Sequence, residues 1–264
     1  MSQNMRDNKR SAAFPWLNGR PTHLPCGPGD MPSCVLLPGD PDRVTLAAAL
    51  LDNARDFGRR REFHAVRGDW RGSPVGVCST GVGGPSAEIA VVELANLDVT
   101  SVIRVGGMGA LQADLPLGGF LIVDQAEGAT GAAAIYGATG AVNASADVVD
   151  ALEEAARTLG FAHRRGRVHT TDSYYWGQGR SARPDGRPSP TPDIVSRLAA
   201  QGVCGLDMEA QTVFAVAKAL GLRAGAVLAV HGNRATDEWL EDYEETQANL
   251  IRLAATAAAL LGSN

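Results

Sequence analysis

Residues Val35–Val44 read "VLLPGDPDRV", a short apolar run that ends in a Pro-Gly-Asp-Pro-Asp-Arg corner. The apolar run predicts a buried strand over Val35–Leu37, and the residues after the corner predict a helix over Pro41–Leu51. Short apolar runs and longer helical patterns alternate in the same way along the rest of the chain. This alternation is typical of an α/β domain with a largely parallel or mixed sheet.

The chain has 264 residues and is 45% apolar, which is enough for one large core. We therefore expect a single domain over residues 13–264 and disorder over residues 1–12. The predicted strands are Val35–Leu37, Val75–Ser79, Val102–Val105, Phe120–Asp124, Val168–Thr171 and Ala226–Val230. The predicted helices are Pro41–Leu51, Pro85–Leu97, Ala146–Leu159, Asp193–Gln201, Glu209–Leu220 and Leu240–Leu261. The Pro-, Arg- and Gly-rich stretch between residues 179 and 192 predicts a loop.

Composition narrows the class of partner to a small molecule. The formal net charge of −5 and the lack of a concentrated basic run argue against nucleic acid or a membrane surface. The sequence shows neither a membrane span nor a secretory signal, so we expect a cytoplasmic protein. Its four cysteines are scattered without CxxC spacing, which predicts buried reduced thiols and no zinc or disulfide framework.

Three predicted strands run into glycine-rich corners: "LLPGDPDR" (Leu36–Arg43), "CSTGVGGPS" (Cys78–Ser86) and "IRVGGMGAL" (Ile103–Leu111). Glycines at such positions either make tight turns or let backbone amides approach an anion. Two of the corners carry an arginine, Arg43 and Arg104, and this favours an anion. Neither GxxxxGK[ST] nor a helix-opening GxGxxG occurs, so a nucleoside triphosphate or a dinucleotide is not indicated.

Taken in order, several motifs resemble the uridine phosphorylase branch of the nucleoside phosphorylase family from about Thr22 to Leu261. They are "HL" (His23–Leu24), "LPGDPDRV" (Leu37–Val44), "REF" (Arg61–Phe63), "CSTGVGGPSAEIAVVELA" (Cys78–Ala95), "IRVGGMGAL", "SYYWGQGR" (Ser173–Arg180), "DMEAQTVF" (Asp207–Phe214) and "NRAT" (Asn233–Thr236). The resemblance implies a central mixed sheet or distorted barrel flanked by helices. It also implies a pentosyltransferase that uses inorganic phosphate as co-substrate and needs no cofactor.

The resemblance assigns residues to each part of a bound nucleoside. Phosphate is a dianion that forked guanidinium donors suit. The implied phosphate residues are Gly39, Arg43, Arg61, Arg104 and Gly107, with Arg61 serving a neighbouring subunit. The implied ribose residues are His23, Met208 and Glu209, with His23 also reaching across a subunit boundary. The implied base residues are Tyr174 or Tyr175 for stacking, and Gln178, Arg180 and Arg234 for hydrogen bonds. Arg104, Gln178, Arg180 and Arg234 are the residues expected to stabilise the transition state.

A glutamine and an arginine together match the edge of uracil. The Gln178 amide can accept from the N3–H and donate to O2, and an arginine beside it can donate to O4. Cytosine would present a donor to that arginine and leave a buried cation unpaired, so it would be rejected. Negative charge that develops on the departing uracil would be met by the same donors.

Two positions depart from the family pattern. Gly107 stands where the family has a threonine or serine whose hydroxyl meets phosphate and ribose. His231 lies two residues before Asn233, and it could donate a proton, meet an altered sugar, or be a hydrogen-bonded core residue. These departures motivate the hypothesis of a uridine with an altered ribose, for example at the 5′ position.

Alternatives to phosphorolysis remain open at this point. They are hydrolysis of the same bond and non-catalytic nucleoside binding made conceivable by Gly107. The resemblance also implies a homo-oligomer built from dimers, most often a hexamer. A potassium ion between subunits, held by Glu62, the Val82 carbonyl and Ser86, is a further implication of the resemblance.

Overall fold

The structure, a computed structural model, describes residues 12–262. The expected disorder over residues 1–12 falls almost wholly on residues 1–11, which lie outside that range. The strands are β1 (Trp16–Leu17), β2 (Arg20–Pro21), β3 (Cys34–Pro38), β4 (Asp52–Arg60), β5 (Phe63–Trp70), β6 (Ser73–Cys78), β7 (Ser101–Ala110), β8 (Phe120–Gly128), β9 (Val142–Asn143), β10 (His163–Thr170), β11 (Gly205–Asp207), β12 (Arg223–Asn233) and β13 (Glu238–Trp239). The helices are α1 (Pro41–Leu50), α2 (Gly84–Ala95), α3 (Gly131–Ile135), α4 (Ala146–Leu159), α5 (Ile194–Ala200), α6 (Ala210–Leu220) and α7 (Glu244–Gly262).

All strands but β1 and β2 belong to one mixed sheet, which closes on itself at one end. Strand β12 pairs in parallel with β7 and antiparallel with β8. Together with β10 and β11 these strands form a five-stranded barrel in the order β12-β8-β10-β11-β7. From β7 the sheet continues through β3, β6, β5 and β4. The predicted single α/β domain with a mixed sheet or distorted barrel is confirmed.

Helices cover the sheet and divide the apolar core into two main clusters. One cluster includes Leu94 of α2 and Phe214 of α6, and the other includes Val44 of α1, Leu152 of α4 and Leu253 of α7. The four cysteines are free and buried, as predicted. In the described part of the chain, no helix has both the length and the apolar character to cross a bilayer.

The third glycine corner was predicted wrongly. Residues Gly106, Gly107 and Gly109 lie inside β7, which runs without a turn from Ser101 to Ala110. Partners on both sides, β12 on one and β3 followed by β11 on the other, hold this segment extended. The glycines instead allow close packing, since a Cβ on Gly106 would lie 2.9 Å from the Leu228 side chain.

The hairpin of β4 and β5 was not predicted. Strand β4 is rich in charged residues and mostly exposed, so it lacks the alternation of a half-buried strand. Its pairing with β5 makes it the edge of the sheet. The short elements β9, β11, β13 and α3 also went unpredicted, and α7 begins at Glu244, four residues later than expected. Residues 179–192 contain neither helix nor strand, as predicted.

Candidate active site

A cavity of about 650 Å³ opens where the C-terminal halves of β7 and β12 meet β11 and the segment after β10. Its lining includes most of the predicted site residues: Arg43, Arg104, Gly107, Tyr174, Gln178, Arg180, Met208, Glu209, His231 and Arg234. Residues more than a hundred positions apart in the sequence therefore meet in one place.

Two guanidinium groups define one end of the cavity. Arg43 lies in the first turn of α1, and its Nη1 donates to the carbonyl of Val105, 3.0 Å away, next to Arg104 in the chain. Burial, and then the neighbouring charge of Arg104, lower the pKa of Arg43 to about 10, so it stays protonated at neutral pH. A Cβ on Gly39 would lie 3.3 Å from Arg104 Nη1, so the first glycine corner also reaches this end. The arrangement can hold a small anion.

Glu209 lines the cavity beside Arg104, at the start of α6. Its Oε2 lies 2.6 Å from Arg104 Nη2, and its Oε1 accepts from the backbone N–H of Gly83 at 2.7 Å. Both charged side chains are buried, so each offsets the desolvation of the other. The buried Nε of Arg104 has no hydrogen-bond partner among the described residues.

Asp207 was not among the predicted residues, yet it fixes the position of Glu209. Its Oδ2 accepts from the backbone N–H groups of Glu209 and Ala210 at 3.1 and 2.7 Å, and its Oδ1 accepts from the Thr170 hydroxyl at 2.6 Å. Burial, together with the nearby Glu209 charge, raises the pKa of Asp207 to about 6. The signal for it was a carboxylate just before a predicted helix, where such side chains cap N–H groups.

The predicted base-recognition residues lie together at the other end. Arg180 donates through Nη1 to the Gln178 amide oxygen, and Arg234 Nη1 donates to the Gln178 carbonyl at 2.9 Å. The Arg180 guanidinium also lies 4.1 Å from the centre of the Tyr174 ring. Burial lowers the pKa of Arg180. This end therefore offers several N–H donors and one aromatic face to a planar ligand.

Asn233 is a second positioning residue that the prediction missed. Its amide nitrogen donates to the carbonyls of Gln112 and Leu115 at 3.0 and 2.9 Å. Its amide oxygen accepts from the backbone N–H groups of Ala235 and Thr236. Because these bonds fix the turn after β12, they set the direction in which Arg234 leaves the strand. Trp239 and Glu238 of β13 also line the cavity, although no sequence motif pointed to them.

Gly107 and His231, the two departures from the family pattern, are in contact across the cavity wall. A Cβ on Gly107 would lie only 2.5 Å from His231 Nδ1. The imidazole stacks on the ring of Tyr243, with 5.2 Å between ring centres. The two unusual residues therefore belong to one local arrangement.

Four residues predicted for phosphate, ribose or base do not line this cavity: His23, Gly39, Arg61 and Tyr175. Arg61 and Tyr175 are exposed. His23 is held elsewhere by the buried Glu93 of α2, whose carboxylate lies 2.6 Å from His23 Nδ1 and also accepts from the His23 and Leu24 N–H groups. The expected role of His23 and Arg61 in a neighbouring subunit's site stays a prediction.

Two of the three residues implied for a potassium ion, Glu62 and Ser86, are in direct contact. Ser86 Oγ lies 3.0 Å from Glu62 Oε1 and also donates to the carbonyl of Thr80. Val82 follows Gly81, whose added Cβ would touch the Glu62 side chain. Oxygen donors of these kinds suit a hard cation, so Glu62, Ser86 and the Val82 carbonyl would hold it. Between residues 12 and 262 no cluster of three or more His, Cys, Asp or Glu side chains could bind a metal.

Comparison with known proteins agrees with this geometry. A family model described as "Phosphorylase superfamily" matches residues 33–263. A protein of Thermococcus kodakarensis named uridine phosphorylase is 40% identical over 222 residues, covering 84% of this chain and 80% of the relative. The uridine phosphorylase of Escherichia coli is 35% identical over 246 residues, covering 90% and 97%. A guanosine phosphorylase of Halorubrum lacusprofundi is 30% identical over 253 residues, covering 90% and 98%.

The chain therefore belongs to the phosphorylase superfamily, as a pentosyltransferase of the nucleoside phosphorylase type. Within that family it falls in the uridine phosphorylase branch, in agreement with its motifs.

Proposed function

We propose that the protein cleaves a uracil nucleoside with inorganic phosphate, giving uracil and a pentose 1-phosphate. The observation that carries the proposal is one cavity with Arg43 and Arg104 at one end and the Gln178–Arg180–Arg234 cluster at the other. Glu209, which a ribose would approach, lines the same cavity and contacts Arg104. The relatives named uridine phosphorylase support the same conclusion.

In the proposed reaction a phosphate oxygen bonds to the anomeric carbon of the sugar while the bond from that carbon to N1 of the base breaks. Arg43 and Arg104 hold the phosphate dianion below the sugar. The Glu209 carboxylate accepts from the ribose hydroxyls and keeps its contact with Arg104. The transition state has oxocarbenium character, and the electron pair of the broken bond moves onto the base.

The departing uracil carries negative charge on its carbonyl oxygens. Arg180, Arg234 and the Gln178 amide supply preorganised N–H donors for that charge. The uracil N3–H would share or take over the Gln178 oxygen that Arg180 now binds. Tyr174 offers a ring face beside Arg180. No covalent enzyme intermediate is required.

The experiment is to incubate the protein with uridine, with and without phosphate, and to follow uracil by chromatography. We expect uracil only when phosphate is present, together with an equal amount of pentose 1-phosphate. Release without phosphate would instead support hydrolysis, and no release would support a non-catalytic nucleoside-binding protein.

A finer proposal concerns the sugar: the preferred substrate is a uridine altered in its ribose, for example at the 5′ position. Its support is the Gly107–His231 contact, which changes the cavity wall near Arg43. Turnover of uridine should be compared with that of its 5′-amino and 5′-deoxy analogues. A clear preference for plain uridine would end this finer proposal and leave phosphorolysis intact.

From the family resemblance alone, we also propose a dimer as the building block, a hexamer as the assembly, a cytoplasmic location and a potassium ion near Glu62.

A further inference from the structure

The His231 ring fills the space that any side chain at position 107 would need. A Cβ on Gly107 would lie 2.5 Å from Nδ1 and 2.7 Å from Cε1 of the imidazole. Atoms that are not bonded do not approach so closely, so the ring keeps its position only because residue 107 is glycine. Gly107 and His231 are therefore a matched pair.

The surroundings place the His231 ring at the end of the cavity that carries Arg43 and Arg104. Arg43 donates to Val105, two residues before Gly107, and Arg104 lies one residue earlier in the same strand. Stacking on Tyr243 at an interplanar angle of 22° fixes the plane of the imidazole. The Arg180 and Arg234 side chains lie against Gly109, two residues further along β7, whereas Arg43 is the charged group that acts on His231. An anion held by Arg43 and Arg104 is thus the ligand group that the ring would meet.

The protonation state of the imidazole suits a neutral donor. Burial, and then the Arg43 charge, lower the pKa of His231 to about 4, so the ring carries one proton at neutral pH. Within residues 12–262 the buried Nε2 has no hydrogen-bond partner. An unpaired buried N–H is less well tolerated than an unpaired acceptor, which places the proton on Nδ1. Nδ1 is the ring atom nearest Gly107, a residue that lines the cavity.

We propose that His231 donates a hydrogen bond through Nδ1–H to inorganic phosphate held by Arg43 and Arg104, in place of a donor from residue 107. The proposal rests on the proposed function, because it assigns a further residue to the phosphate part of the same site. A neutral imidazole adds a donor without adding repulsion between cations.

Two variants of His231 distinguish the hydrogen-bond donor function of the imidazole from the stacking of its ring. His231→Phe keeps an aromatic ring to stack on Tyr243 but has no N–H, whereas His231→Asn places an amide nitrogen near the position of Nδ1. We expect His231→Phe to raise the KM for phosphate roughly tenfold or more, since one hydrogen bond to a charged group is lost. The nucleoside KM should change by less than about twofold, and His231→Asn should recover part of the phosphate KM.

The binding of inorganic phosphate to the free protein, measured by calorimetry, gives a readout that does not need turnover. His231→Phe should weaken it by a similar factor. An unchanged phosphate affinity, or a rise in the nucleoside KM alone, would overturn the proposal. If the wild-type protein releases no uracil, the proposed function is wrong, while calorimetry still decides whether His231 contacts phosphate.

A double-mutant cycle tests the pairing of the two positions. Gly107→Ser alone should displace the ring and weaken phosphate binding. Gly107→Ser combined with His231→Ala should bind phosphate more tightly than either single variant, because the serine hydroxyl then has room to donate. Melting temperatures identify variants that fail to fold. Additive losses in folded variants would contradict the pairing.

Discussion

Arg104 and Glu209 form a buried ion pair that lines the cavity, and we propose that each also contacts the ligand. Removing one partner leaves the other charge buried and unpaired, which is costlier than removing both. Stability and activity should therefore respond differently to single and double substitutions at these positions.

Arg104→Met should lower the free energy of unfolding by about 3 kcal/mol, because the Glu209 carboxylate loses its buried partner. The double variant Arg104→Met/Glu209→Gln should recover much of that loss, yet show no phosphorolysis. Urea unfolding and the uracil-release assay measure the two effects separately. Equal stability of the single and double variants would show that the pair does not stabilise the fold.

Gln178 carries the expected recognition of the base. Gln178→Ala should lower kcat/KM for uridine by about 10- to 100-fold, because one or two hydrogen bonds to uracil are lost. Gln125→Ala is the matched control, since the Gln125 side chain donates to Asn143 and is not among the residues that line the cavity. Similar activity of the two variants would argue against base recognition by Gln178.

His231 gives the protein a particular pH dependence. Its pKa in the folded state, about 4, lies below the ordinary value of 6.5. The unfolded chain therefore takes up a proton in this interval that the folded protein does not, so stability is lost as the pH falls from 6.5 toward 4.

We expect wild-type protein to lose more unfolding free energy between pH 7 and pH 4.5 than His231→Phe does, by about 1–3 kcal/mol. Asp207 titrates with the opposite sign, since its raised pKa favours the folded state as the pH falls, but it is common to both proteins and cancels. Urea unfolding at the two pH values measures the difference. Parallel losses in both proteins would show that His231 is not held neutral by the fold.

Site residues that lie in a recognisable motif and act through a charged or amide side chain were predictable from the sequence. Arg43, Arg104, Gln178, Arg180, Glu209 and Arg234 all reach the cavity. Asp207, Asn233 and Glu93 were not predicted, because they act by accepting or donating hydrogen bonds to backbone groups of other segments. Such roles depend on which loops the fold brings together, and a single sequence does not contain that information.

Among the elements, the sheet strands with continuous apolar runs were predictable and the exposed hairpin was not. Strands β3, β8 and β12 carry their own signal because both faces are buried. Strand β4 is defined by its pairing with β5 more than by its own residues. The glycines of β7 favoured a turn locally, but pairing with β12 along their whole length, and with β11 at Gly109, overrode that tendency.

The close approach of β8 and β10 at Gly128 gives a test of how tightly these two strands pack. Gly128 has a φ of +147°, and a Cβ there would lie 2.1 Å from the Thr170 carbonyl oxygen. Gly137 also has a positive φ, +84°, but no atom lies within 4 Å of an added Cβ. Gly128→Ala should therefore cost about 2 kcal/mol more unfolding free energy than Gly137→Ala. Equal costs, measured by thermal or urea unfolding, would mean that the strand pair relaxes without penalty.

For the whole molecule, the cavity of a single chain contains only part of the predicted site. Arg61 and His23 lie outside it, and Glu93 holds His23 in a fixed position. If these residues complete a neighbour's site, as the family resemblance implies, activity requires at least a dimer.

Complementation between two inactive variants tests that prediction. Arg104→Met disables the cavity itself, and Arg61→Met removes the residue expected from the neighbour. Co-expression should restore part of the activity, since a mixed dimer would contain one site with neither substitution. The separately expressed proteins, mixed just before the assay, are the control. No recovery in a mixed oligomer verified by tagging would place Arg61 outside the site.

Phosphorolysis at this site requires one anion and one base to share the cavity. The most direct measurement is a crystal structure of the protein with phosphate and uracil bound. We expect a single phosphate contacted by both Arg43 and Arg104, with uracil held by Gln178 and Arg180 at the opposite end. Uracil bound away from Gln178 and Arg180, or two arginines that never share one anion, would contradict this expectation.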